Sequence, residues 1–166
     1  WNSGGYERVE TLRTLEGRVD VYLPDLKYAA PELAAQYSGA ADYPDAAKAA
    51  ILEMYRQRGP VRLEDGLLKS GVLIRHLILP GRVAEAKRVM DWAAESFPPG
   101  SVLFSLMAQY TPVGALEGFP ELRRPLRASE LRAAREYMEG LGLPGYVQEL
   151  GSAGEKFIPA FDLTGL

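Results

Sequence analysis

The stretch VLIRHLIL, residues 72–79, decides the fold class because it is the strongest strand signal in the chain. It is apolar except for Arg75 and His76, and a Pro-Gly pair ends it. A near-continuous apolar run indicates a strand buried on both faces, which is typical of parallel sheets covered by helices. Similar runs occupy residues 19–23 and 101–107, with helical periodicity between them. The sequence therefore predicts an α/β fold with a parallel sheet.

Helices and one hairpin are predicted between the strands. Apolar stripes with helical spacing follow Pro44 and fill residues 83–97. Another helix is predicted over residues 129–140, with Ser129 as its N-cap. Residues 61–69 suit a short hairpin, because their Asp-Gly pair is typical of a type I′ turn. About four β/α units result, too few to close an eight-stranded barrel, so we expect a partial (β/α) barrel with an inserted short hairpin.

The whole chain, residues 1–166, is predicted to be a single domain, since no linker divides it. Residues 108–127 are a long segment rich in glycine and proline, and loops of such length are usually functional. Residues 151–166 are expected to form an extended tail. Because the sequence starts at Trp1 without an initiator methionine, we also expect it to be part of a longer protein.

The composition excludes several classes of protein. With 47% hydrophobic residues and a net charge of -3, the chain has no basic block typical of nucleic-acid binding. No apolar run is long enough to cross a membrane and no signal peptide is present, so a cytoplasmic location is expected. The sequence has no cysteine, which excludes disulfides, thiolate zinc sites and cysteine-ligated clusters within these residues.

The first candidate site residues follow the predicted strand at residues 19–23. Side chains two apart on a strand share a face, so Asp25 and Lys27 continue the row of packing groups that includes Val21 and Leu23. The charged pair then projects at the downstream end of the sheet, where functional groups collect in β/α folds. Three interpretations stay open: a self-satisfied ion pair, a receptor for the two charges of an amino acid, or a Schiff-base lysine as in barrel aldolases.

Other candidates lie within or just after predicted strands, or in the first turn of the chain. Arg75 needs a partner if it is buried, so it either pairs with an acid such as Asp25 or takes part in an anion site. His76 points to the opposite face, towards the helices, and is expected to be structural. Gln109 is a candidate for contacting a purine or ribose edge, or is only a turn residue. The NSGG turn at residues 2–5 offers backbone amides near a helix N-terminus.

Four phrases resemble a known family: NSGGY from residue 2, VYLPDLKY from residue 21, VLIRHLILPG from residue 72 and SLMAQYTP from residue 105. In this order they are similar to the second half of a radical S-adenosylmethionine enzyme of the pyruvate formate-lyase activating enzyme-like family. The resemblance runs from residue 1 to about residue 150. It implies the later half of a radical-SAM (β/α)6 barrel, a TIM-like arrangement of parallel strands.

The resemblance also implies cofactors and partners. In that family the first half of the barrel carries a CxxxCxxC loop that holds a 4Fe-4S cluster, which reductively cleaves S-adenosylmethionine to a 5′-deoxyadenosyl radical. The full-length protein would then be an oxidoreductase that acts on a glycyl radical enzyme or a small molecule, with flavodoxin or ferredoxin as electron donor. Neither cofactor is expected on this chain alone, so the chain by itself is expected to be inactive. From its composition, it is expected to have no nucleic-acid or membrane partners.

Site residues follow from the same resemblance. Asp25 and Lys27 match the strand-end pair that contacts the methionine part of the cofactor, and Arg75 matches an arginine of the barrel lumen. Gln109 stands where the family usually has a histidine. The positions that match cofactor-contacting or cofactor-approaching residues are Asn2, Ser3, Asp25, Lys27, Arg75 and Gln109.

Two other functions are consistent with the residues. One is a complete small β/α enzyme, a lyase or aldolase, with Lys27 as the Schiff-base nucleophile. The other is a non-catalytic interaction module whose exposed parallel edge pairs with another chain. The same edge would allow a homodimer of this chain.

Overall fold

The computed structural model of the chain describes residues 1–114 and 116–148, which form a six-stranded sheet with helices packed against it. The predicted tail at residues 151–166 lies outside the described residues. The elements are β1 (Asn2–Ser3), α1 (Val9–Arg13), β2 (Val21–Pro24), α2 (Pro31–Ser38), α3 (Tyr43–Arg58), β3 (Arg62–Glu64), β4 (Leu67–Leu77), α4 (Val83–Ser96), β5 (Leu103–Met107), a short 3₁₀-helix (Pro120–Arg123), α5 (Ala128–Gly140) and β6 (Gly145–Val147).

The strand order confirms the predicted fold class. The strands β1, β2, β4, β5 and β6 lie side by side in that order, and each neighbouring pair is parallel. Parallel neighbours need crossover connections, and helices supply them here. Only β3 is antiparallel among the described strands, and it pairs with the first residues of β4. The result is an α/β fold with an open, mostly parallel sheet.

The predicted hairpin is confirmed at β3 and β4. Asp65 has a φ of 51° and Gly66 a φ of 76°, so both turn residues adopt the left-handed conformation that a type I′ turn requires. Leu63 and Leu67 flank this turn and are exposed. The hairpin therefore projects from the upstream end of β4, away from the strand ends that carry the charged residues.

One face of the sheet carries the core. Alternate strand residues on this face are fully buried, and the predicted apolar stripes of α3 and α4 pack against them. Complete burial of a large aliphatic side chain contributes about 1.5–3 kcal/mol, so this face supplies much of the stability. The buried residues include Tyr22, Leu26, Val72, Ile74, Ile78, Phe104 and Leu106 from the strand segments, and Ala47, Ala50, Ile51, Met54, Ala86, Val89, Met90 and Ala93 from the helices.

The other face of the sheet, which we call the open face, is only partly covered. Val21 and Leu23 of β2 point to it and are half-buried, whereas Tyr22 between them is fully buried on the core face. The row that was predicted to continue into Asp25 and Lys27 therefore lies on the open face, where Val21 and Leu23 are only half-buried. Both sides of β2 are apolar, so the sequence pattern could not identify the side that the helices cover.

The start of α5 differs from the prediction. The helix begins at Ala128 with Arg127 as N-cap, so Ser129 is not the capping residue. Glu130 supplies the capping contact instead, because its Oε2 accepts a hydrogen bond from the Arg127 N–H at 2.8 Å. This carboxylate lies in the first turn, where the helix dipole also favours negative charge.

Candidate functional site

The downstream ends of three neighbouring strands bring predicted site residues together. Register pairing places Asn2 of β1 beside Leu23 of β2. An isolated bridge pairs Asp25, which follows β2, with Arg75 of β4. As a consequence, the side chains of Asn2, Asp25 and Arg75 meet on the open face of the sheet.

Arg75 is the centre of this cluster. Its Nη2 donates hydrogen bonds to Asp25 Oδ1 and to Asn2 Oδ1, at 2.6 Å each. The Arg75 and Asp25 side chains are 24% and 19% exposed, so water screens their attraction only in part. The interpretation that Arg75 pairs with Asp25 is confirmed. The Nε of Arg75 is buried and has no hydrogen-bond partner within the described part of the chain.

Lys27 approaches the same carboxylate from the solvent side. Its Nζ lies 3.6 Å from Asp25 Oδ2, and its side chain is 50% exposed. Because this separation is beyond the usual range of a hydrogen bond, the ion pair contributes under about 1 kcal/mol. Asp25 Oδ2 and the Lys27 ammonium thus keep capacity for other partners. A ligand that carries both an ammonium and a carboxylate would complement them.

A pocket of about 250 Å³ lies beside the cluster. On one side it is lined by the charged groups of Asp25, Lys27 and Arg75. On another side lie Tyr28 and Ser38, whose hydroxyl oxygens are 2.9 Å apart. A mixture of apolar wall and a few convergent polar groups is typical of small-molecule sites. The apolar lining consists of Leu77, Leu79 and Met107.

Tyr43 and Gly5 fix the backbone beneath the charged cluster. The Tyr43 hydroxyl lies 2.9 Å from the carbonyl oxygens of Gly4 and Asp25. It also accepts a hydrogen bond from the Lys27 N–H, at 3.1 Å, and burial raises the pKa of this tyrosine. Gly5 has a φ of +80°, and a Cβ there would lie 2.1 Å from the Asp25 carbonyl oxygen. Sequence reasoning missed both roles, although the Gly-Gly pair of the turn was a signal for a close approach.

Ser3 and Gln109 do not join the cluster. The Ser3 hydroxyl is buried in its own turn, where it accepts from the Gly5 N–H at 2.9 Å and lies 3.0 Å from Glu7 Oε1. The Gly5 amide of this turn is therefore already paired. Gln109 is exposed after the end of β5 and does not line the pocket. Their predicted contacts with a cofactor stay predictions.

His76 lies on the core face, as predicted, and is structural. It is 3% exposed, and its Nδ1 lies 2.7 Å from the Leu26 carbonyl oxygen. Burial lowers the pKa of this imidazole, so the neutral form is favoured and its Nδ1–H donates to that carbonyl. Since Leu26 lies between Asp25 and Lys27, this hydrogen bond holds the segment that carries the site.

The described residues limit the other chemistry that the site offers. A Schiff-base lysine is usually activated by desolvation, whereas Lys27 is half-exposed beside a carboxylate. Residues 1–114 and 116–148 contain no group of three or more acidic or histidine side chains placed to hold a metal ion. Within the same ranges, no helix has the length and hydrophobicity needed to cross a bilayer.

The fold and the site define an α/β protein with a charged pocket at the downstream ends of parallel strands. No family model matches the chain. It is similar to the Uncharacterized protein MJ0674 of Methanocaldococcus jannaschii, with 28% identity over 144 residues. The matched part is 86% of this chain but 38% of that protein, so the chain spans well under half the length of this relative.

Proposed function

We propose that this chain is the later part of a radical S-adenosylmethionine enzyme related to the pyruvate formate-lyase activating enzymes. In this proposal Asp25, Lys27, Arg75 and Asn2 hold the methionine part of S-adenosylmethionine. The observation that carries the proposal is the meeting of these four side chains, from three separate strand ends, beside one pocket. The resemblance names the same residues from the sequence alone.

The donor and acceptor groups fit an amino-acid head group. Arg75 occupies one oxygen of Asp25, and within the described residues Oδ2 has only the long contact to Lys27. Asp25 Oδ2 would accept from the cofactor's ammonium group, and Lys27 would turn to its carboxylate. Arg75 and Asn2 would keep Asp25 in place, so the cluster would need little rearrangement on binding.

The architecture supports the proposal at a coarser level. Strands β1, β2, β4, β5 and β6 follow one another across the sheet, and helices cover one face. A wall of a β/α barrel has this arrangement, and its open face would become the lumen when further strands close it. The greater length of the relative is consistent with further strands elsewhere in the natural protein.

The 4Fe-4S cluster does not fit residues of this chain. Thiolates hold such clusters, and the sequence contains no cysteine. The cluster would therefore be bound by another part of the longer protein. In the longer protein, such a cluster and S-adenosylmethionine would supply the chemistry of hydrogen-atom abstraction. A glycyl radical enzyme or a small molecule would be the substrate, and a flavodoxin or ferredoxin the electron donor.

Titration of the isotope-labelled chain with S-adenosylmethionine, followed by NMR, tests the site. We expect weak, millimolar binding, since the iron that anchors the cofactor is not part of this chain. Shifts should centre on residues 25–28 and Arg75, and Asp25→Asn should abolish them. Asp20→Asn is the matched control, because Asp20 is an exposed acid near the upstream end of β2 that pairs with Arg58.

Two results would overturn this assignment. One is an absence of shifts around Asp25 at 10 mM cofactor, and the other is an equal loss of binding in Asp20→Asn. The proposal for the longer protein has a separate test in the coding sequence before Trp1. A CxxxCxxC motif should be encoded within about half a barrel's length upstream. An upstream coding region of that length without the motif would refute the family assignment while leaving the amino-acid pocket intact.

A further inference from the structure

Part of the pocket wall is formed by the end of α2. Ser38, the last residue of this helix, lines the pocket together with Tyr28. The ring of Tyr28 also contacts the ring of Tyr37, with centroids 6.3 Å apart. Tyr37 therefore lies directly behind the two hydroxyl-bearing residues of the pocket wall.

Tyr37 is held by two side chains from distant parts of the sequence. Its hydroxyl donates to Glu121 Oε1 at 2.5 Å and accepts from Arg82 Nε at 2.7 Å. Arg82 Nη2 also donates to Glu121 Oε1, at 2.9 Å. The three side chains, Tyr37, Arg82 and Glu121, form a closed triangle of charge-assisted hydrogen bonds, which we call the Tyr37 cluster.

The segment of residues 116–127 reaches α2 through this cluster. Phe119, two residues before Glu121, packs its ring edge-on against Tyr37 with centroids 5.5 Å apart. The guanidinium of Arg82 lies 5.6 Å from the centroid of the same ring. Tyr37 is thus shared between the segment on one side and the pocket wall on the other.

The opposite end of α2 is fixed by other contacts. Glu85 of α4 accepts hydrogen bonds from the backbone N–H groups of Ala29 and Ala30, at 2.6 and 2.7 Å. These amides lie at the N-terminus of α2, where a carboxylate also compensates the helix dipole. The helix is therefore anchored at its start by α4, and its last turn carries Tyr37 of the Tyr37 cluster.

We propose that the Tyr37 cluster positions the pocket wall, so that docking of residues 116–127 and the placement of Tyr28 and Ser38 are energetically coupled. Among the described residues no hydrogen bond or ion pair joins the cluster to Asp25 or Lys27, and the coupling does not depend on which ligand fills the pocket. Tyr37, Arg82 and Glu121 are in this sense positioning residues. Sequence reasoning gave no signal for them, because they come from three different segments.

Hydrogen–deuterium exchange in the Glu121→Ala variant tests the coupling. Loss of the charge-assisted hydrogen bonds should speed amide exchange about five-fold in residues 116–127. Exchange should also be faster in residues 28–38, which do not contain the mutation. Exchange in β4 should stay unchanged, which would show that global stability is retained. Glu117→Ala is the matched control, since it removes an exposed acid from the same segment and should leave residues 28–38 unaffected.

The reverse experiment starts from the pocket. Ser38→Ala removes the partner of the Tyr28 hydroxyl, and it should speed exchange in residues 116–127 in the otherwise unchanged chain. In the Tyr37→Phe background, which keeps the ring contacts, Ser38→Ala should have no such effect. Tyr137→Phe removes a comparable hydrogen bond, to Asp91, and serves as the control background in which the effect persists. Two results would overturn the proposal. One is a change in exchange that is confined to the segment carrying the mutation, in either the Glu121→Ala or the Ser38→Ala variant. The other is an equal effect of Ser38→Ala in the Tyr37→Phe and Tyr137→Phe backgrounds.

Discussion

Arg75 and His76 are neighbours in β4, yet they belong to two regions built on different principles. His76 is buried on the core face and bonds to a backbone carbonyl. Arg75 lies on the open face and holds a carboxylate and an amide beside a pocket. Dense packing on the core face supplies the free energy of folding, and this allows the open face to carry charges that are costly to bury. The difference in packing between the two faces can be measured as the loss in the free energy of unfolding when a residue on each face is substituted.

The largest difference in the free energy of unfolding should appear between alanine variants of Ile74 and Leu73. Ile74→Ala should lower the free energy of unfolding by about 2–5 kcal/mol, because it leaves a cavity in a fully buried site. Leu73→Ala removes a half-buried side chain from the open face and should cost about 1 kcal/mol. Denaturant titration of both variants measures the two values. Equal losses would show that the open face is as tightly packed as the core face.

Gly5→Ala should be the next most damaging change. The new Cβ would overlap the Asp25 carbonyl oxygen, and the positive φ adds strain, so we expect a loss of about 2–3 kcal/mol. Gly4→Ala is the control, since a Cβ at that position meets nothing within 4 Å. Thermal denaturation compares the two variants. A mild effect of Gly5→Ala would mean that the turn moves easily, and the site would then be less rigid than the structure indicates.

The pH dependence of the free energy of unfolding should reveal the protonation of His76. Burial lowers its pKa in the folded chain, so below about pH 6.5 the unfolded chain binds the additional proton. The stabilisation should be fully present well above pH 6.5, and it should be lost as the pH falls below this value, by up to about 1.4 kcal/mol per pH unit. Urea titrations at several pH values measure this slope. His76→Gln should remove it, and an unchanged slope in that variant would assign the titration to another group.

Lys27→Met should have the smallest effect on stability. The lysine side chain is half-exposed and its contact with Asp25 is long, so the free energy of unfolding should change by less than about 0.5 kcal/mol. The same variant should weaken binding of the S-adenosylmethionine carboxylate in the NMR titration. Unchanged binding would remove Lys27 from the proposed site without affecting the assignment of Asp25 and Arg75.

Local patterns were enough to predict most of the fold. Hydrophobic periodicity located the main helices and strands, and the Asp65-Gly66 pair located the hairpin. The rule that functional groups collect at strand ends identified Asp25. The need of a buried charge for a partner identified Arg75, which the structure brings into contact with Asp25. The side of β2 that faces the helices could not be predicted, because Val21 and its neighbour Tyr22 are both apolar.

The supporting contacts of the site could not be predicted for a different reason. The roles of Tyr43 and Tyr37 depend on hydrogen bonds to residues 16 or more positions away, and no local pattern specifies such partners. Ser3 belongs to a turn that was predicted to approach a cofactor, and its hydroxyl accepts a hydrogen bond within that turn. A short polar side chain beside glycines can bond to its own backbone turn or contact a ligand. Only the folded backbone determines which of these it does.

The uneven charge of the cluster has a consequence for how ligands arrive. Arg75 and Lys27 together outnumber Asp25 by one positive charge, whereas the chain as a whole carries -3. The pocket mouth is therefore a local positive spot on a negative molecule. Such a spot attracts the carboxylate end of an approaching molecule first and orients it before contact. Association should accordingly slow as the ionic strength rises, because dissolved ions screen that attraction.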